Sequence, residues 1–284
     1  MKIESMKMTS RISAILLLAA SIIFFACQKE KSNGPAGSQA ALGKPHTARI
    51  FLTDHQTPVF DSIFLDLQSL EVKLEDDTLP NDGWVSLSIH PGVYNILQFR
   101  NGLDTLFATG TLPTGRVQKI RLTLGTQNSV MVNGQRSPLT VKSEDRQVVA
   151  NLEGGNFEIL PPNQIMFWID FDASRSIQVD NSGSGNNHGY RLKSSIKIFT
   201  RSTSGEIEGK VLPRAANPIV LAIKGTDTAT AIPEREGEFK IMGLSAGTYK
   251  VVIQGQNNYL DTTIQNVVVR NREDTHLPAI TLHQ

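Results

Sequence analysis

From Thr47 to the end of the chain, apolar residues recur at every second position in short stretches, and Gly, Pro, Asn or Asp cuts nearly every stretch off. A period of two is the period of a β-strand, whose successive side chains point to opposite faces. No stretch holds a helical period long enough for a sizeable helix, so the pattern predicts an all-β protein. Ile63, Leu65 and Leu67 share one face; Leu70, Val72 and Leu74 continue one residue out of phase. That slip predicts a β-bulge or strand break near Gln68 and Ser69.

Further strands are expected at residues 84–89, 93–99, 117–124, 129–132, 146–152, 164–171 and 190–199. Asn133-Gly134 marks a tight hairpin, because both residues tolerate positive φ. The polar run 181–188 has no face to bury and is expected to be an exposed loop. After Arg201-Ser202-Thr203-Ser204-Gly205 a second series follows at 206–212, 218–224, 238–241, 248–254, 262–269 and 276–282, of a size that suits a small β-sandwich.

The N-terminus reads differently. Lys2, Lys7 and Arg11 precede an apolar run from Ala14 to Ala26, broken only by Ser21 and stopped by Cys27-Gln28-Lys29-Glu30-Lys31. Positive charge ahead of a short apolar core is a signal-peptide layout, and the run falls short of the roughly 20 residues a bilayer span needs. Ile23-Phe24-Phe25-Ala26-Cys27 resembles the lipobox of bacterial lipoproteins, with Phe24 in place of the usual leucine and Phe25 in place of a small residue. The resemblance implies cleavage after residue 26 and acylation of Cys27, palmitate included, which would tie the chain to a bilayer.

Cys27 is the only cysteine, so no intramolecular disulfide can form and the fold must rest on core burial. Residues 28–45, rich in Gly, Ala, Ser, Lys and Pro, read as a flexible tether. The expected architecture is therefore two antiparallel β-sandwich-like domains in tandem after a cleaved lipoprotein signal peptide and tether. The boundaries are 1–26 for the signal, 27–45 for the lipidated cysteine and tether, 46–201 for the first domain and 205–284 for the second. The expected location is the cell envelope, at the outer membrane on its periplasmic face or at the cell surface. Lys29-Glu30-Lys31 resembles the surface-export signal of Bacteroidota lipoproteins.

Residues 48–200 resemble the bacterial domain of unknown function family numbered 4382, through Leu52-Thr53-Asp54, Gly83-Trp84-Val85-Ser86-Leu87, Gly92-Val93-Tyr94-Asn95-Ile96-Leu97 and Asp170-Phe171-Asp172-Ala173-Ser174, among other segments. That likeness implies no activity. Residues 205–282 resemble a carboxypeptidase regulatory-like domain of the transthyretin or prealbumin type, through Gly209-Lys210-Val211 and the run from Gly237 to Val251. In relatives this is a non-catalytic β-sandwich, so no peptidase activity is implied.

A formal net charge of +1 without a cationic block argues against nucleic acid, and no nucleotide fingerprint follows a strand. The six histidines show no paired zinc spacing, and no cofactor is expected. Gly243-Leu244-Ser245-Ala246-Gly247 matches the G-x-S-x-G pattern of a nucleophile elbow. That elbow needs a strand turning into a helix, whereas the flanking alternation predicts strand on both sides. Asp170 and Asp172, two apart, share a strand face and could begin a calcium site if loops supplied more oxygens, Asp54 or Asp104 first. Otherwise they cap a strand end. Among the aromatics, Trp84 and Tyr259 are the candidate stacking surfaces for a sugar, with core packing the competing reading for Trp84.

The function expected from these features is a non-enzymatic envelope lipoprotein that binds a carbohydrate or an envelope protein. Two alternatives stand beside it: a structural subunit of a surface assembly, and a calcium-dependent hydrolase built on Asp170 and Asp172.

Overall fold

The computed structural model describes residues 45–54, 59–75, 80–113, 117–152, 159–160, 164–171, 176–180, 189–193 and 196–284. Residues 1–44, with the expected signal segment, Cys27 and all but the last residue of the expected tether, lie outside the described residues, as do Asp172 and the expected loop 181–188. Within the described residues the fold is all-β, with short 3-10 turns and no helix long and apolar enough to cross a membrane.

The strand Ser62–Leu74 is the spine of the first half. It pairs with Trp84–Ile89, Gly92–Asn95, Val117–Leu124 and Ser129–Val132. Against Val117–Leu124 its register slips between Leu67 and Ser69, so Leu67 faces Leu124 while Ser69 faces Thr123. Gln68 is the inserted residue, exposed between two buried triplets. The bulge lets Ile63, Leu65 and Leu67 and then Leu70, Val72 and Leu74 enter the same core. At roughly 1.5–3 kcal/mol per buried aliphatic side chain, losing the second triplet to solvent would cost several kcal/mol.

Asp66 sits beside this bulge on the opposite face, only 5% exposed. Its Oδ2 accepts from the Gln127 amide at 3.0 Å, Gln68 Nε2 donates to Oδ1, and its own amide donates to Asn128 Oδ1 at 2.8 Å. Asn128 Nδ2 in turn donates to the Gly125 carbonyl at 2.9 Å, closing the 125–128 turn. A Cβ on Gly125 would stand 2.1 Å from Asp66 Oδ2, so only glycine admits the carboxylate there.

The strand path of this first sheet runs Ile159–Leu160, Gln164–Phe171, His46–Thr53, Thr105–Leu112, Trp84–Ile89, Ser62–Leu74, Ser129–Val132, Gln135–Val141, Gly189–Leu192 and Ile177–Asp180. Its buried side chains form one cluster, from Ala48 to Ile198. A second cluster, from Ile207 to Leu282, lies between two four-stranded sheets. One sheet centres on Gly205–Leu212, flanked by Glu238–Leu244 and Asp274–His276. The other runs Asp227–Ala231, Ile219–Lys224, Gly247–Gln254, Thr262–Val269. In that outermost strand two residues, Gln265 and Asn266, oppose the single Lys250, and Asn266 takes φ 58°. This is a bulge on a sheet edge.

The all-β, sandwich-like architecture is as expected and most pairings are antiparallel, but not all of them. Four pairings among the described residues are parallel: His46–Thr53 with Gln164–Phe171, Gln135–Val141 with Gly189–Leu192, and Gly205–Leu212 with both Asp274–His276 and Ile280–Thr281. Parallel partners are joined by long crossovers, which local alternation does not report. Two expected strands are also divided. Residues 190–199 split into Gly189–Leu192 and Ile196–Phe199, which pair with different neighbours. Residues 276–282 break around Pro278, which has no amide to give to the ladder. The Asn133-Gly134 hairpin is as expected, with φ of 50° and 74° and Val132 opposite Gln135.

Asp66→Ala removes acceptors from a buried network and should lower unfolding stability by about 2–4 kcal/mol. Urea unfolding followed by tryptophan fluorescence measures it, and Gly125→Ala should act in the same direction. A change below about 0.5 kcal/mol in both would show that the turn is held by other contacts.

Candidate functional site

Trp84 is half-buried, with the Arg121 guanidinium 4.1 Å above its ring, and Arg121 is itself held by Glu71 at 2.7 Å. One face of that indole is thus already covered. Trp168 stacks between Phe51 and Phe199, with centroids 5.4 and 5.9 Å away, and its Nε1 donates to Asp104 Oδ2 at 2.6 Å. Asp104, weighed as an extra calcium ligand, is therefore an indole acceptor. Asp170 is 1% exposed, in register with Thr53 and Lys197. Among the described residues no three His, Cys, Asp or Glu side chains gather in a metal-holding group. Ser245 lies in the turn between Glu238–Leu244 and Gly247–Gln254, so the G-x-S-x-G run is strand-turn-strand. Lys224 Nζ reaches its Oγ at 2.5 Å.

The concave surface lies elsewhere, where the two cores meet. Residues 100–103 form a tight turn, with the Leu103 amide donating to the Arg100 carbonyl at 2.9 Å and Asn101 and Gly102 at φ 53° and 77°. An Asn-Gly pair suits those two left-handed positions. Here the turn presents a side chain rather than closing a hairpin. Asn101 Nδ2 donates to the Ile232 carbonyl at 2.9 Å, and its Oδ1 accepts from the Lys240 amide at 3.4 Å. The amide thus bridges backbone near the facing ends of Asp227–Ala231 and Glu238–Leu244 much as a strand would. A Cβ on Gly102 would fall 2.7 Å from Lys240 Cδ, so the turn fits flush on the lysine stem.

Lys240 ties the contact down. Its Nζ pairs with Glu206, lies 3.3 Å from Glu208 and 4.0 Å from Asp274. Partial burial alone would depress the ammonium's pKa; the hydrogen bond and charge of Glu206 outweigh it, with Glu208 and Asp274 adding, and the net direction is upward. Across the same junction Lys197 Nζ donates to the Gly243 carbonyl at 2.5 Å.

Around this turn runs an open cleft in two continuous hollows of about 560 and 330 Å³, which share Arg100, Glu234 and Arg235. Asp61, Asn95 and Gln98 line one end, and Arg214, Asn217 and Pro218 the other. Asn257 Nδ2 donates to the Ala215 carbonyl at 2.8 Å and Asn217 Nδ2 to Gln256 Oε1 at 2.9 Å. The Tyr259 loop therefore buttresses the Arg214 end, with the Tyr259 ring half-buried against the second core rather than open as a platform. None of these arginines is among the residues the sequence singles out by type; the local signal that points to the site is the Asn-Gly pair at 101–102.

The model of the family described as "Domain of unknown function (DUF4382)" matches residues 47–194, more than half of the chain. The protein belongs to that family, which brings no activity to transfer. No curated protein matches it. Among solved structures, a chain of a type II cohesin–X-dockerin complex from Acetivibrio cellulolyticus is similar at 26% identity over 28% of this chain and 56% of the other, with a TM-score of 0.24. The shaft pilin spaA of Lactobacillus rhamnosus GG matches at 8% identity, over 84% of this chain and 98% of its own, with a TM-score of 0.20. The fimbrial anchor protein Mfa2 of Porphyromonas gingivalis matches at 8%, over 84% and 91%, with a TM-score of 0.18. The protein thus spans about half the length of the first of these, and superpositions this loose bring neither fold nor function across.

Lys240→Met should lower stability at neutral pH by roughly 2 kcal/mol, because the buried Glu206 is left with only Arg201, 4.0 Å away, as a counter-charge. A lysine whose folded pKa is raised contributes stability below its unfolded value, here 10.5, and loses it as pH climbs through the higher folded value. The gap between wild type and Lys240→Met in urea midpoints should therefore be constant near neutrality and shrink above about pH 10.5. Asn101→Ala should speed amide hydrogen exchange at Lys240, and an unchanged rate there would discount the bridge.

Proposed function

We propose that this protein is a non-enzymatic lipoprotein of the bacterial envelope, anchored through acyl chains on Cys27, and that the cleft at the junction of its two cores is its recognition surface. On this reading residues 46–201 and 205–284 are two modules, the second a carboxypeptidase regulatory-like sandwich. Its separate core between two opposed four-stranded sheets supports that assignment. The single observation that carries the recognition role is the cleft itself: open, polar, and walled by a turn that Asn101 and Lys240 clamp in place. A preorganised wall spares a ligand part of the ordering cost of binding.

A second reading, assembly by strand addition, has one observation in its favour. Ile177–Asp180 ends the first sheet, pairs only with Gly189–Leu192 among the described residues, and leaves Val179 55% exposed. Such an edge is a template for another chain.

Two experiments test the proposal. Palmitate labelling of the full chain in a bacterial host should disappear in Cys27→Ser, and persistence of the label would defeat the anchor. On an immobilised-glycan array the detergent-purified chain should bind a defined set of polymers, and Gln98→Trp, which fills the cleft, should abolish that binding. Binding indifferent to Gln98→Trp, with concentration-dependent oligomers broken by Val179→Lys, would favour assembly instead.

A further inference from the structure

We propose that the cleft takes an acidic polysaccharide, its sugar carboxylates held by Arg100, Arg214 and Arg235; this rests on the cleft being the recognition surface. Arg100, Arg214 and Arg235 line these joined hollows, and none has an ion-pair or side-chain hydrogen-bond partner among the described residues. Glu234 lines both hollows, yet no ion pair joins it to any of the three. Asp61, the other carboxylate in the lining, already accepts from the Gly134 amide at 2.8 Å. Elsewhere in the same chain cations are used: Arg121 on Glu71, Lys240 on Glu206, Arg270 on Glu273. The cleft is thus where cationic forks collect without being spent on the fold. A guanidinium's planar donors match a carboxylate two to two, which a point-charge ammonium does not.

The shape narrows the ligand. Arg214 lies at one end, while Arg100 and Arg235 stand where the two hollows join. Cationic side chains in both hollows suit a repeating polyanion rather than a single small ion. The backbone narrows it further. Ser62 is paired with Met131, Asn95 with Phe64, and Val211 with Ile280, while the Val211 amide donates to the Gly237 carbonyl at 2.8 Å. Val211 is thus engaged on both sides, so an acidic peptide could not add to that strand, and recognition there falls to side chains. Gln98 is exposed in the lining and, with the remaining carbonyl of Asn217, offers amide groups of the kind that bond sugar hydroxyls.

The test uses the full chain in detergent and three probes: polygalacturonate, uncharged dextran and poly-L-glutamate. Wild type should bind polygalacturonate, more weakly as salt is raised, and each of Arg100→Gln, Arg214→Gln and Arg235→Gln should weaken binding by about tenfold. Lys250→Gln, exposed and outside the cleft, should leave it unchanged. Because the three arginines hold no partner among the described residues, urea midpoints of the variants should match wild type, so a loss of binding is a loss of contact. Polygalacturonate binding indifferent to the three substitutions would overturn the proposal, as would poly-L-glutamate binding equally tightly. Dextran binding that Gln98→Trp abolishes and the arginine variants leave intact would overturn the acidic ligand while sparing the cleft as recognition surface. No polymer bound, or binding untouched by Gln98→Trp, would overturn both.

Discussion

The first core depends on a single inserted residue. Had Ser62–Leu74 kept strict alternation through Gln68, the triplet Leu70, Val72 and Leu74 would point away from the core that Ile63, Leu65 and Leu67 enter. Four other strands take their register from this one, so the slip sets where each of them lies. A bulge of this kind leaves backbone polar groups out of step with their partners. The buried Asp66, with Gln127 and Asn128, supplies hydrogen bonds beside it. Burying a carboxylate is costly unless its oxygens are bonded, and here both oxygens are.

The second core is attached by chemistry of another kind. Asn101 offers one side-chain donor and one acceptor to backbone that would otherwise face a sheet edge, and Lys240 sets its stem under Gly102 while its ammonium is gathered in by Glu206. Individually a neutral hydrogen bond contributes about 1 kcal/mol. Together with Lys197 on the Gly243 carbonyl, these contacts make a polar junction held at several points, and it sets the geometry of the cleft wall.

What the sequence disclosed and what it withheld follow from how each strand earns its burial. Ile63 through Leu74 and Asn133-Gly134 were legible because bulky alternation and an obligate turn pair are local signals. Thr105–Leu112, Gln135–Val141 and Asp227–Ala231 escaped because they are built on small and polar residues. Gly110, for instance, leaves room for Leu87 to pack, since a Cβ there would stand 2.6 Å from Leu87 Cδ2. The cleft was hidden for a further reason. Its lining comes from residues near 61, 95–103, 211–218 and 233–237, joined only by tertiary packing, and an arginine facing a cleft looks in sequence like any solvated arginine. Trp84 and Tyr259 drew notice by residue type, yet a guanidinium covers one face of the first and the second core takes up much of the other.

The outermost strand of the second sandwich, with Asn266 twisted into left-handed backbone opposite Lys250, has a consequence for the company this molecule keeps. A ladder with one rung out of step makes a poor mould for a neighbour's chain, so copies crowded side by side are discouraged from fusing along that margin. Contact on that flank is left to side-chain chemistry, which can be selective where main-chain adhesion would accept almost any extended polypeptide.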